Sequence, residues 1–214
     1  MTYTGGPLNE LNGKMGISAP QNSVSIMKLI RAHQPKSKQE LVDLIKYHFK
    51  RTCKCGVKSR GTVFDFGKNL YHAQLKYWGE YRYSQQQCIQ WEYDLFIVQS
   101  LKGNTLEKKA AAILLHRLPD LCVSEVEEFL DEELRIDLAV KNSRAILCGI
   151  QVKPVSFLAM RSEVILFNKN ANEKWGRPVF YFFYDKDGRF TNERQVLVGI
   201  KQLVGISKPI DPFP

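Results

Sequence analysis

LRIDLAVKNSRAILCGIQVKPV, residues 134–155, is the stretch whose reading decides the fold. Over 134–140 the residues alternate. Ile136, Leu138 and Val140 fall on one face of an extended strand, and Arg135, Asp137 and Ala139 on the other. The polar KNSR at 141–144 reads as a turn. Alternation then resumes through 145–155. Ile146, Cys148, Ile150 and Val152 share one face, and Leu147, Gly149, Gln151 and Lys153 share the other. The segment therefore predicts a β-hairpin with one apolar face and a second face carrying Asp137, Gln151 and Lys153. That convergence carries a geometric condition. A two-residue turn at 142–143 would pair residue 137 with 148, on the wrong face. Asp137 joins the other two only if it pairs with an odd-numbered residue such as 149, through an odd loop length or a bulge.

Working outward from the hairpin, TLEKKAAAILLHRL (105–118) is rich in strong helix formers and ends at Pro119. After the hairpin a helix is expected to stop near Trp175-Gly176, with Pro178 behind it. VFYFFYD (179–185) reads as a strand, and NERQVLVGIKQLVG as a final helix. Toward the N-terminus, residues 1–21 read as an irregular arm rich in Gly, Asn and Pro. Residues 22–34 predict a helix that Pro35 ends. Ser37 and Glu40 form a capping box that opens a second helix, LVDLIKYHF. A basic loop spans 50–61. Residues 66–104 are aromatic, Gln-rich and expected to be largely helical, their rings serving as core rather than as base-stacking platforms. Helix, hairpin, helix, strand and helix together make an α/β layered domain behind a mainly helical N-terminal half. The natural division is 1–104 and 105–214, read as two regions of one compact unit.

The composition, 44% hydrophobic and 25% charged over 214 residues, fits a folded chain rather than a disordered one. No apolar run reaches bilayer length and the N-terminus does not resemble a signal peptide, so a cytoplasmic location is expected, with no membrane partner. The five cysteines, at 53, 55, 88, 122 and 148, are odd in number and scattered, which speaks against a disulfide framework. They read as reduced thiols. The alternative is zinc held by His48, Cys53, Cys55 and either Cys88 or His72, although C-x-C lacks the paired C-x₂-C spacing of most zinc sites.

The net charge of +9 is concentrated in one half. Through Asn104 there are 15 Lys and Arg against 7 Asp and Glu, a balance of +8; from Thr105 the counts are 16 and 15, a balance of +1. Lys46, Lys50, Arg51, Lys54, Lys58 and Arg60 fall within fifteen residues that contain no acid. Such a cluster attracts a polyanion by releasing its counterions.

Asp, Gln and Lys on one strand face also suit a particular chemistry. Phosphodiester hydrolysis uses a hard cation to neutralise the scissile phosphate and activate water, and a carboxylate is its natural anchor. A nearby lysine can position that water and stabilise developing charge. RIDLAV…GIQVKP resembles the motif of the PD-(D/E)xK nuclease superfamily, in the variant where Gln replaces the second acid, as in several type II restriction endonucleases. The Glu-bearing helix GNTLEKKAAAILL matches an upstream element of that superfamily in order and type. The resemblance covers roughly residues 100–185, and IQVKP followed by an Asn-bearing helix and an aromatic strand is similar to MjaI-type restriction enzymes.

What the resemblance implies is a restriction-endonuclease-like core, a mixed β-sheet flanked by helices. Asp137 would bind Mg²⁺, and Gln151 would offer a carbonyl oxygen directly or through the adjoining peptide. Lys153 would align the attacking water, and Glu107 would hold a metal or a bridging water. Glu132 or Glu133 could take the place of Glu107. Two departures from the family pattern stand out: no Pro precedes Asp137, and the neutral Gln151 leaves the number of metal ions open. The expected activity is that of a type II restriction endonuclease, a homodimer cutting double-stranded DNA at a short palindrome. Lys50, Arg51, Lys54, Lys58 and Arg60 are the expected DNA contacts, to phosphates or to guanine edges. The alternatives are a repair nuclease or junction resolvase of the same fold, and a non-catalytic DNA-binding protein.

Overall fold

The computed structural model describes residues 4–160 and 162–206. The chain divides into two compact units, 1–104 and 105–214.

The first unit is helical. Residues 1–21 were expected to be irregular, but they contain α1 (Gly6–Met15), with Pro at its first turn and Gly16 in the left-handed conformation at its end. Leu8 and Leu11 are buried, so packing supplies what a Gly- and Asn-rich sequence lacks in propensity. Then come α2 (Ile26–His33), α3 (Lys38–Lys50), α4 (Val63–Trp78) and α5 (Gln85–Tyr93). Ser37 caps α3 as expected, accepting from the Glu40 N–H, while the Glu40 carboxylate reaches back to the Lys36 N–H. A π-helical turn, Asp94–Gln99, leads into α6 (Ser100–Arg117), so this helix starts ahead of residue 105.

Phe66, Trp91 and Phe96 lie in the unit's cores, whereas Tyr77 and Tyr81 remain exposed. Helices α4 and α5 meet at Gly67, where a methyl group would overlap the backbone N and Cα of Ile89.

Glu92, on α5, is fully buried and accepts hydrogen bonds from the Ser18 hydroxyl at 3.0 and 2.8 Å. Burial pushes its carboxyl up to about 7, against the opposing pull of Ser18. A carboxylate with a raised folded-state pKa stabilises the fold while protonated, and that stability is lost as pH rises from the unfolded value toward 7. The loss amounts to about 3 kcal/mol, at roughly 1.36 kcal/mol per pKa unit. Glu92→Gln keeps an acceptor for Ser18 and cannot ionise. Its urea midpoint should match the parent near pH 4, below the unfolded value, and exceed it at pH 8; equal midpoints at pH 8 would contradict the assignment.

The second unit is an α/β layer structure. Beyond residues 105–117 of α6 come β1 (Cys122–Glu125), α7 (Glu128–Glu132), β2 (Leu138–Lys141), β3 (Ile146–Pro154), α8 (Ser162–Glu173), β4 (Val179–Tyr184) and α9 (Glu193–Ile206). The sheet order is β1-β2-β3-β4, antiparallel except for the parallel pair β3 and β4, so the sheet is mixed. Leu106, Ala110 and Leu114 of α6 and Val196 and Ile200 of α9 form one core with Leu138, Val140, Cys148, Ile150, Val152 and Phe182. Leu138, Val140, Cys148, Ile150 and Val152 belong to the predicted apolar face, but Ile146, predicted with them, is outside this core, and Leu147, predicted on the other face, packs against it because a bulge falls there.

Two further details differ from the expected hairpin. The first strand begins at Leu138 rather than 134, because Arg135 takes a positive φ of 59° and breaks the extended run. Ile136 in consequence does not join Leu138 and Val140. It lies against Gly149 on the opposite face, where an added Cβ would meet Ile136 Cγ2 at 2.9 Å and the Trp175 ring at 2.8 Å. Glycine is what lets that layer approach the sheet.

Candidate active site

The hairpin register has the parity that brings the polar set together. Val140 pairs with Cys148, Ala139 with Gly149 and Leu138 with Ile150, whereas Lys141 pairs with Ile146, so Leu147 is the extra residue of a bulge. Asn142 and Ala145 close the turn, the Asn142 N–H donating to the Ala145 carbonyl, and Asn142 Oδ1 accepts from the N–H groups of Arg144 and Ala145. A two-residue turn is thus present, one position beyond the one considered from sequence, and the bulge restores odd-to-odd pairing. Gly149 itself faces Ala139, not Asp137.

Asp137 stands just ahead of this ladder. Its N–H donates to the Ile150 carbonyl, and its Oδ2 accepts the Val152 N–H at 2.6 Å. Asp137 is therefore bonded to both chain neighbours of Gln151. Short contacts from an N–H to a carboxylate are the stronger kind of hydrogen bond and fix the group's orientation. The carboxylate is buried at 7% exposure.

Gln151 is fully buried on the face opposite the apolar core. Its Nε2 donates to Asn168 Oδ1 of α8 at 3.0 Å, and Asn168 is held by donating to the Val164 carbonyl. Among the described residues, Gln151 Oε1 has no hydrogen-bond partner. A buried amide oxygen left in this way costs about 1–3 kcal/mol, and in native proteins it commonly marks a place for water, an ion or a ligand. Lys153, two residues along the same strand, is half-buried.

In β4, Gln151 pairs with Tyr181 and Lys153 with Phe183. Tyr181 stacks between Phe157 and Phe183, with centroids at 5.7 and 5.9 Å, and donates its hydroxyl to Asn172 of α8. Asn172 in turn donates to the Leu134 carbonyl. These bonds fix α8 over the site. Neither the two asparagines nor Tyr181 was singled out from sequence, since an amide on an amphipathic helix carries no spacing signal by itself.

Glu107 is half-buried in the interior of α6, not in its first turn, because the helix starts at Ser100. Both Glu107 and Asp137 act on Tyr184, at the end of β4. Burial pushes this phenol up, and the carboxylates of Asp137 and Glu107 push it further. Of the other acids considered, Glu132 ends α7 and Glu133 follows it, exposed.

In the first unit, Lys50, Arg51, Lys54, Lys58 and Arg60 are all exposed. Arg51 lies over the Tyr47 ring at 5.9 Å, and the Arg60 N–H is tied to the Ser23 carbonyl. The cysteines are free thiols. Cys88 is buried in a core formed with Leu11, Leu70 and Trp91, His72 lies on α4, and neither is gathered with the other candidate ligands. His33, which the sequence reading passed over, is the residue gathered with His48, Cys53 and Cys55. Among the described residues, no helix is long and apolar enough to cross a membrane. No protein-family model, curated protein or solved structure matches the chain.

Proposed function

We propose that the protein is a Mg²⁺-dependent endonuclease acting on double-stranded DNA, in the manner of a type II restriction enzyme. The observation that carries this reading is the polar end of β3. A buried carboxylate, Asp137, is bonded to both neighbours of a buried amide whose oxygen has no partner among the described residues, with Lys153 next on the same face.

The donor set fits a hard divalent cation: two carboxylates and an amide oxygen, with no thiol or imidazole among them. Asp137, Glu107 and Gln151 Oε1 are the groups that would hold it. When bound, Mg²⁺ supplies charge neutralisation of the scissile phosphate and a lowered pKa for coordinated water. The Val152 N–H fixes the Asp137 carboxylate, and Asn168 holds the Gln151 amide so that its oxygen, not its nitrogen, is left available. The Lys153 ammonium, close to the scissile group, would orient the attacking water and stabilise charge gathering on the phosphate oxygens. A homodimer acting on a palindrome is the form that the family resemblance gives this activity. Leu158, Met160, Leu166 and Phe167 are exposed apolar side chains that such a dimer could cover.

The test is to incubate purified protein and Mg²⁺ with a phage genome and to sequence the fragment ends. Ends that share one short palindrome, absent when the metal is chelated, support the reading. Cutting that follows branched structure rather than sequence points instead to a resolvase-like activity, and no cleavage with Mg²⁺ or Mn²⁺ defeats the proposal.

The exposed basic loop would supply phosphate contacts. Each such contact contributes about 0.9 to the slope of log K against log salt. Lys54→Ala with Lys58→Ala is therefore expected to lower the slope of duplex binding by about 2. An unchanged slope would remove the loop from the interface.

A further inference from the structure

The structure assigns a second metal site, a closed Cys₂His₂ zinc centre, to His33, His48, Cys53 and Cys55 in the first unit. One ligand atom from each of the four residues lies within 4.8 Å of every other. His48 Nε2 is 3.2 Å from Cys55 Sγ, and His33 Nε2 is 3.9 Å from Cys53 Sγ. A tetrahedral zinc ion, with bonds of about 2.3 Å to sulfur and about 2.0–2.1 Å to nitrogen, sets its ligand atoms about 3.3–3.8 Å apart. These two pairs bracket that spacing and the remaining ones lie within 4.8 Å, so the group needs to draw in by about 1 Å at most.

The second layer of contacts supports the same conclusion. His48 is fully buried, and its Nδ1 lies 2.8 Å from the Leu44 carbonyl. A carbonyl can only accept, so Nδ1 carries the proton and Nε2 presents its lone pair to the cluster. Metal-bound histidines are oriented in this way, with the far ring nitrogen donating to a backbone carbonyl. His33 is the last residue of α2, and Gln34, at a φ of 49°, turns the chain away immediately after it. Its ring meets that of His48 edge-on at 4.9 Å.

The Cys-Lys-Cys-Gly segment closes as a tight turn. The Gly56 N–H donates to the Cys53 carbonyl, and Gly56 adopts a φ of 75° that a residue with a Cβ rarely takes. The turn gathers both sulfurs although their spacing is C-x-C. Two thiolates and two neutral imidazoles cancel the charge of a divalent zinc ion, so the centre is neutral, and binding releases the two thiol protons to solvent. Sulfur and imidazole donors favour zinc over Mg²⁺.

Four protein ligands complete the tetrahedron, so the ion's role is structural. It joins the end of α2, the last turns of α3 and the basic loop that follows. That loop is otherwise tied by the Ser59 N–H to the His48 carbonyl and by the Arg60 N–H to the Ser23 carbonyl. Lys54 is thereby fixed between two ligands.

The experiment uses the full chain, purified without chelator, dialysed exhaustively and measured for metal by inductively coupled plasma mass spectrometry. One zinc per chain is expected. The Cys53→Ser, Cys55→Ser double variant and His48→Ala should each carry less than a tenth of that, while Cys88→Ser and His72→Ala retain one equivalent. Because ligand variants can fail to fold, the parent is also exchanged with Co²⁺. It should show the strong visible bands of tetrahedral cobalt with thiolate-to-metal charge transfer. A dialysed parent with neither zinc nor tetrahedral cobalt uptake overturns the assignment, as does a double variant that keeps a full equivalent. No DNA or Mg²⁺ enters these measurements, so their outcome is separable from that of the nuclease reading.

Discussion

Asp137→Asn is expected to lower Mg²⁺-dependent DNA cleavage at least 10³-fold, about 4 kcal/mol of transition-state stabilisation, while leaving duplex binding in Ca²⁺ within about threefold. The substitution is chosen for what it preserves. Asp137 Oδ2 is the acceptor for the buried Val152 N–H, and the amide oxygen of Asn can take over that bond, so only the negative charge is removed. Asp137→Ala would also strand the N–H, at a cost of about 1–3 kcal/mol of stability, and would confuse a lost site with a loosened strand. Lys153→Ala gives the complementary result, because its side chain is only half-buried and its removal leaves the β3 backbone pairing with β4 intact. It should reduce cleavage by a comparable factor and affinity very little. If the Asn variant cuts within tenfold of the parent, or if Lys153→Ala loses binding as fully as cleavage, the roles assigned to these residues fail.

The second large effect concerns stability. Gly67→Ala is expected to destabilise the first unit by about 3 kcal/mol, the cost of overpacking where the obstacle cannot move aside. The added methyl would overlap the backbone of Ile89, not the end of a flexible side chain, so α4 and α5 must separate along their contact. Gly13→Ala is the matched control. Gly13 also lies within a helix, α1, and a Cβ there meets nothing within 4 Å. That substitution should be neutral or add about 0.5–1 kcal/mol through helix propensity. Urea titration of both variants checks the pair, and a Gly67→Ala midpoint equal to the parent's would show that the interhelical contact is not as close as described.

The hairpin was legible in the sequence because a period of two is imposed by burial on one face, and Leu138, Val140, Cys148, Ile150 and Val152 could take no other phase. The early break at Arg135 was not legible. A positive φ at an arginine carries no sequence signal, and Ile136 kept the alternation going for one residue too many. β1 escaped because it is only four residues long and flanked by acids. α1 escaped because its stability comes from Leu8 and Leu11 packing in the core rather than from helix-forming residues. At the site, charged and amide residues on a strand face stood out from apolar neighbours, whereas Asn168 and Asn172 looked like ordinary helix surface. The cysteine pair was visible by its spacing, but its histidine partner at position 33 is twenty residues away and becomes adjacent only through packing.

The bulge at Leu147 has a consequence for how this chain can change. The bulge is where a single residue can be absorbed: with Leu147 removed, Lys141 opposite Ile146 and Val140 opposite Cys148 would be successive pairs of a regular ladder, and Gln151 and Lys153 would keep their face. Length changes should therefore be tolerated at the turn and the bulge. A residue inserted within 148–153 would instead exchange the faces of everything beyond it and carry Lys153 toward the core.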